Sequence, residues 1–156
     1  MRVRLLAAGT RLPAWINAGY VEYARRMPPE APLELVEIAV GRGGGQGARV
    51  KATRDEGERM LAQLTPRQWV VALDVGGKAL DTPGLARWWA TRQRDGRDVT
   101  FLIGGPDGLA AEVLERADER MSLSALTLPH GLVRVVLAEQ LYRALSLLKG
   151  HPYHRE

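Results

Sequence analysis

The feature that most constrains this chain is a repeated pairing of a short apolar run with a segment of helical spacing. The first run, Val3–Ala8, closes at Gly9, and Pro13 then opens a stretch in which Trp15, Ile16, Tyr20 and Tyr23 recur at helical intervals. Residues 33–40 form a second run in which Leu33, Leu35, Val36 and Ile38 are interspersed with glutamates, before the cluster Gly41, Gly43, Gly44, Gly45 and Gly47. Residues 50–64 are predicted helical and 69–73 a wholly apolar strand. A helix starts at Pro83 and passes through Trp88 and Trp89, and Val99–Ile103 is another apolar run, ending at Gly104 and Gly105. Residues 109–117 read as helix, 123–128 as a fifth strand and 133–149 as the longest helix. Strands apolar on successive residues are covered on both faces, so the pattern predicts an α/β fold, a largely parallel sheet with helices on both sides.

Nothing in the chain divides it, and its 156 residues with 46% hydrophobic content suffice for one domain over 1–156. Absence of cysteine excludes disulfides, thiolate nucleophiles and cysteine-ligated zinc, and fits a reducing compartment. With no apolar stretch of membrane-spanning length and an N-terminus that reads as a strand, a cytoplasmic protein without a membrane partner is expected. The charge of +4, from 22 basic and 18 acidic residues, permits an RNA partner without requiring one.

Three constellations carry chemistry. Gly43, Gly45 and Ala48 satisfy a G-x-G-x-x-A pattern, but no acid lies between Glu58 and Asp74 to hold a dinucleotide ribose, so a basic loop with Arg42 and Arg49 is the better reading. More telling are three segments where strands end in special residues: Leu73-Asp74 with Gly76-Gly77, Gly104 to Gly108, and Ser122 to Pro129. Ligands of open α/β sheets bind beyond the carboxyl ends of strands, and glycine there lets backbone approach the ligand, although a tight turn at Pro106-Asp107 accounts for the second segment equally well. Finally, His151, Tyr153, His154, Arg155 and Glu156 crowd the terminus. His151 and His154 with His130 suggest a metal, yet Pro152 breaks the helix such spacing needs, so no metal is expected.

The runs Leu102-Ile103-Gly104-Gly105-Pro106-Asp107-Gly108, Ser122 to His130, Val133 to Ala144 and Gly150-His151-Pro152-Tyr153-His154-Arg155-Glu156 together resemble the large-subunit ribosomal RNA methyltransferase H family of the SPOUT superfamily. The resemblance spans the chain. It implies a SPOUT fold with a C-terminal trefoil knot, and S-adenosylmethionine held by Leu73, Gly104, Leu123, Ser124, Ala125, Leu126, Thr127 and Leu128, mostly through backbone. It further implies a homodimer in which one subunit's tail completes the other's site, and methylation of N3 of a pseudouridine in ribosomal RNA on assembled ribosomes. Gly131 stands where the family usually has proline, Leu145 where tryptophan is frequent and Asp107 where glutamate is common.

Methyl transfer from a sulfonium is an in-line displacement that needs positioning and relief of the acceptor's N–H proton, not a metal. Tyr153, His154 and Arg155 are the expected catalytic group, with Tyr153 as a stacking face for an unstacked base. A dimer is also expected from the apolar series Val133, Val136, Leu137, Leu141, Leu145 and Leu148. A non-enzymatic ribosome-binding factor remains the alternative, separable by cofactor binding.

Overall fold

A computed structural model describes residues 1–41 and 45–155. The chain runs β1 (Val3–Ala8), α1 (Ala14–Ala24), β2 (Leu33–Ile38), α2 (Gln46–Ala62), β3 (Trp69–Ala79), α3 (Thr82–Asp95), β4 (Val99–Ile103), α4 (Ala111–Arg116), β5 (Glu119–Ser122), α5 (His130–Leu148) and a closing 3-10 turn, Pro152–Arg155. The strands make one sheet in the order β2-β1-β4-β3-β5. Every pairing is parallel.

The apolar runs are explained by burial on both faces of the central strands. Leu5, Val71 and Phe101 face a core shared with Tyr20, Trp89, Leu137 and Leu141, so α1, α3 and α5 cover that side. Their neighbours Leu6, Val70 and Leu102 face the opposite core with Met60, Ala110 and Val113, under α2 and α4. Period-two alternation therefore sends each strand's consecutive residues into two different cores. Caps fix both ends of α3. The Asp81 carboxylate accepts from the Gly84 amide at 2.7 Å at the start of α3, and Gly96, at φ 80°, ends it.

Three expectations need correction. The fifth strand is Glu119–Ser122, not residues 123–128. Asp118 fastens it to β3, its carboxylate accepting from the Val70 amide at 2.7 Å while its own amide donates to the Val70 carbonyl at 2.8 Å. As an edge strand it tolerates Glu119 and Arg120. Residues 123–128 leave the ladder because hydroxyls satisfy the backbone locally: Ser122 Oγ donates to the Ser124 carbonyl at 3.0 Å and Ser124 Oγ accepts from the Leu126 amide at 2.9 Å.

Second, β3 does not stop at Asp74 but continues to Ala79 through a bulge, with Leu73 and Lys78 both opposite Met121. Gly77 makes this possible, since a Cβ there would lie 2.6 Å from the Met121 nitrogen. Third, α2 starts at Gln46, so Gly45 is its N-cap residue and Gly47 belongs to its first turn, not to a loop. Arg42, Gly43 and Gly44 lie outside the described residues, as does Glu156.

Candidate active site

The last β3–β4 pair is Ala72 with Leu102, so from Leu73 onward the two strands part. A cavity of about 670 Å³ opens there, walled by residues 73–75, the Gly104–Leu109 turn, the irregular 122–128 segment and the first turn of α5. The turn is folded tightly on itself. The Gly108 amide donates to the Gly105 carbonyl at 3.0 Å, Gly108 has φ 79°, and a Cβ on Gly104 would stand 2.7 Å from the Gly108 carbonyl carbon. Backbone therefore faces the cavity at this wall. Val75 and Leu126, each 72% exposed, stand at its mouth.

Leu73, Gly104, Leu123, Ser124, Leu126, Thr127 and Leu128 all line the cavity. Ala125, expected with them, is exposed and points no surface into it. Among the described lining residues two titrate, Asp74 and His130. His130, the first residue of α5, entered the sequence reading as part of a motif and of a rejected metal set but not as a pocket residue, and Val133 one turn on was not assigned to the pocket at all.

Behind His130 sits Arg134, which is fully buried. Its Nη1 donates to Glu37 Oε2 at 2.7 Å, and its Nη2 to the carbonyls of Gly9 at 2.7 Å and Ala8 at 3.3 Å. Gly9, at φ 113°, leaves room for this approach: a Cβ there would lie 3.4 Å from Arg134 Nη2 and 3.5 Å from His130 Nε2. Burial first, and the Arg134 charge second, hold the His130 imidazole below its ordinary pKa. Both effects disfavour the protonated ring at the cavity wall.

The family described as Predicted SPOUT methyltransferase matches residues 1–154. The chain belongs to the SPOUT methyltransferase family. Among its relatives, the Ribosomal RNA large subunit methyltransferase H of Alkalilimnicola ehrlichii is 57% identical over 155 residues, covering 99% of both chains. The protein of the same name from Chromohalobacter salexigens is 51% identical, over 99% of this chain and 100% of its own. Among solved structures, Lpg2936 of Legionella pneumophila, described as a methyltransferase and determined with bound SAM, superposes with a TM-score of 0.51 over 93% of this chain and 66% of that longer one. At 9% identity that likeness concerns the fold alone.

For a SPOUT methyltransferase the placement of the tail is instructive. Tyr153, His154 and Arg155 do not join the cavity of their own chain. Tyr153 is buried; its hydroxyl donates to Glu139 Oε1 at 3.0 Å and its ring meets Tyr142 edge-on at 4.7 Å. Tyr142 is twelve residues along α5 from His130, about 18 Å by helical rise. The expectation that Tyr153 offers an open stacking face is therefore corrected for the single chain; of its neighbours Arg155 is exposed and His154 half-buried. His154 pairs through Nδ1 with the carbonyl of His151, and Arg155 faces solvent. Burial and the Glu139 carboxylate push the Tyr153 phenol above its usual range.

One further group beside the cavity was missed. Glu56 of α2 is buried, its Oε1 has no partner among the described residues, and a Cβ on Gly105 would approach that oxygen to 3.2 Å. Desolvation, then the charge of Asp107, raises its carboxyl pKa. No spacing rule marks it, because helical position alone does not say which carboxylate a neighbouring loop will cover. Among the described residues, no three His, Asp or Glu side chains gather in a metal-binding group, and no helix is long and apolar enough to cross a membrane.

Proposed function

We propose that this SPOUT methyltransferase transfers a methyl group from S-adenosylmethionine to N3 of a pseudouridine in large-subunit (23S) ribosomal RNA, acting in the cytoplasm on assembled ribosomes as a homodimer. The observation that carries the reading is the cavity at the parting of β3 and β4, edged by side-chain-free backbone at Gly104 and Gly105. Its volume suits a nucleoside-sized ligand, and its lining is mainly apolar with a few polar groups, as such sites require. The names of the relatives and the SAM complex of the fold neighbour support the choice of cofactor and substrate. The C-terminal trefoil knot typical of SPOUT domains belongs to this reading.

When bound, S-adenosylmethionine supplies an electrophilic methyl carbon on a sulfonium. The chain's own part is positional. The Gly104–Gly108 turn and the 123–128 segment offer amides and carbonyls to an adenosine, and the Asp74 carboxylate at the cavity wall complements a cationic ligand. His154 and Arg155, remote from this cavity along α5, reach a site by belonging to a second copy. Val75 and Leu126, at the mouth, then have an apolar partner to cover them. The apolar surplus of α5 is a smaller argument for this dimer than its sequence suggests, because Leu137, Leu141 and Leu145 are buried in the chain's own core.

Calorimetry with S-adenosylmethionine, followed by mass spectrometry of nucleosides from gene-deleted ribosomes treated with the protein, tests the proposal. Binding in the micromolar range and one new methylated pseudouridine are expected. Absence of cofactor binding leaves a ribosome-binding factor without catalysis, and methylation of another base moves the acceptor.

A further inference from the structure

We infer that His130, rather than a group of the C-terminal tail, is the catalytic base that accepts the acceptor's N–H proton. The inference rests on the methyltransfer reading above and assigns a role that reading leaves open. Of the two ionisable side chains that line the cavity, the Asp74 carboxylate is better suited to complement a cationic ligand. Imidazole is the better proton acceptor near neutral pH.

The surroundings of His130 prepare it for that task. It is the first residue of the 19-residue helix α5, whose positive end disfavours an imidazolium. Arg134, one turn on, lies against the same Gly9 backbone that His130 Nε2 approaches, and it is pinned there by two carbonyls and Glu37. Of the charged groups around the ring, Arg134 of its own helix acts on it and, with burial, disfavours its protonated form; Glu37 of β2 is paired with that guanidinium, and Asp74 of β3 lines the same cavity. His130 is also only half-buried, so the ring borders both the cavity and the solvent from which a nucleotide enters.

In the step itself the nitrogen's proton passes to an imidazole nitrogen and the freed electron pair forms the N–C bond. The C–S bond breaks with its electrons going to sulfur, leaving a neutral thioether, an N-methyl product and an imidazolium that returns its proton to water. Charge is conserved: the sulfonium's positive charge ends on the imidazolium.

Two measurements test the assignment, one without turnover. In an NMR titration His130 is expected to protonate below pH 6.5 in the free protein. It should move lower still with S-adenosylmethionine but not with S-adenosylhomocysteine, because only the former carries the sulfonium charge. Identical titration in both complexes places the ring away from the reacting sulfur and overturns the assignment. In single-turnover assays on gene-deleted ribosomes, His130→Ala and His130→Gln are expected to lose about 100-fold in rate. Cofactor affinity should be retained, free imidazole should restore part of the Ala variant's rate, and the acid limb of the pH profile should vanish. His154→Gln is expected to keep that limb. A His130→Gln rate within threefold of the parent, or loss of the limb in His154→Gln alone, returns the base to the tail. A parent protein that binds no cofactor defeats the methyltransfer reading instead, so the two failures are distinct.

Discussion

The two ends of α5 carry polar clusters of similar composition and opposite character. At the start, buried Arg134 joins residues 97, 125 and 126 positions away: Glu37, Gly9 and Ala8. Toward the finish, Glu139 pairs with Arg143 four residues on at 2.6 Å and accepts from Tyr153 fourteen residues on. The first cluster closes the sheet against the helix, whereas the second folds the tail back onto the helix that bears it and onto the chain just past α1, where Arg26 stands 5.8 Å from the Tyr142 and Tyr153 rings. A charge held by three distant oxygens becomes part of the fold, and a tail resting on rings and a phenol hydrogen bond is a piece that can detach. The cavity belongs to the first end, and the groups expected to meet RNA belong to the second.

The contrast breaks most readily at Arg134. Arg134→Met removes a buried guanidinium, leaves the exposed Glu37 carboxylate to water and strands two carbonyls, so chemical denaturation should report a loss of about 2–4 kcal/mol, the cost of unsatisfied buried acceptors. A loss under about 1 kcal/mol would make the two ends equivalent. Next in size is Gly104→Ala, whose new Cβ would meet the Gly108 carbonyl carbon at 2.7 Å. Overpacking of that kind costs about 1–3 kcal/mol, and calorimetry should show cofactor affinity falling with it. The glycine is thus demanded by the turn itself, more than by space for a ligand.

At the other end, Tyr153→Phe should cost only about 0.5–1.5 kcal/mol, the value of one hydrogen bond. Truncation after Pro152 should leave the main unfolding transition cooperative while methylation of ribosomes collapses. Near-normal methylation by the truncated protein would return all the chemistry to the first end. The smallest effect expected is on acid stability. Because the folded state depresses the His130 pKa, the unfolded chain binds the proton first, and stability present above pH 6.5 is lost as pH falls toward the folded value. His130→Asn should flatten that part of a stability profile recorded from pH 7.5 to 5.

Much of this was legible in the sequence because burial on both faces writes itself as consecutive apolar residues, as in Leu5-Leu6 and Val70-Val71. The Gly104–Gly108 and Ser122–Pro129 segments were legible because glycines and hydroxyl residues mark where a chain leaves the sheet, and both line the cavity. What escaped was set by partners distant in sequence. Residues 123–128 look like a strand, and only the hydroxyls of Ser122 and Ser124 turning inward on their own backbone prevent it. Gly76-Gly77 looks like a strand end, and only β5 shows it to be a bulge. The tail looks like a frayed polar end, yet Tyr153 finds Tyr142 and Glu139 through a turn begun by Gly150 at φ 68°. Gly131 faces Ile16 so closely that a Cβ would stand 2.6 Å from its Cδ1, a close approach at the α1–α5 contact that the sequence alone does not show.

The sheet order has a consequence for synthesis. β1 is made before the other four strands yet sits inside the sheet, with β2 on one side and β4 on the other. Its partner Val99 is translated 96 residues after Val3. Until then the nascent chain can pair only one edge of β1, and Leu5 to Ala8 present an open, wholly apolar strand edge of the kind that invites misassembly. The cavity is later still, since its wall at His130 and Val133 follows all five strands. Cofactor therefore cannot stabilise a chain stalled before α5, because part of the wall that would bind it has not yet been translated.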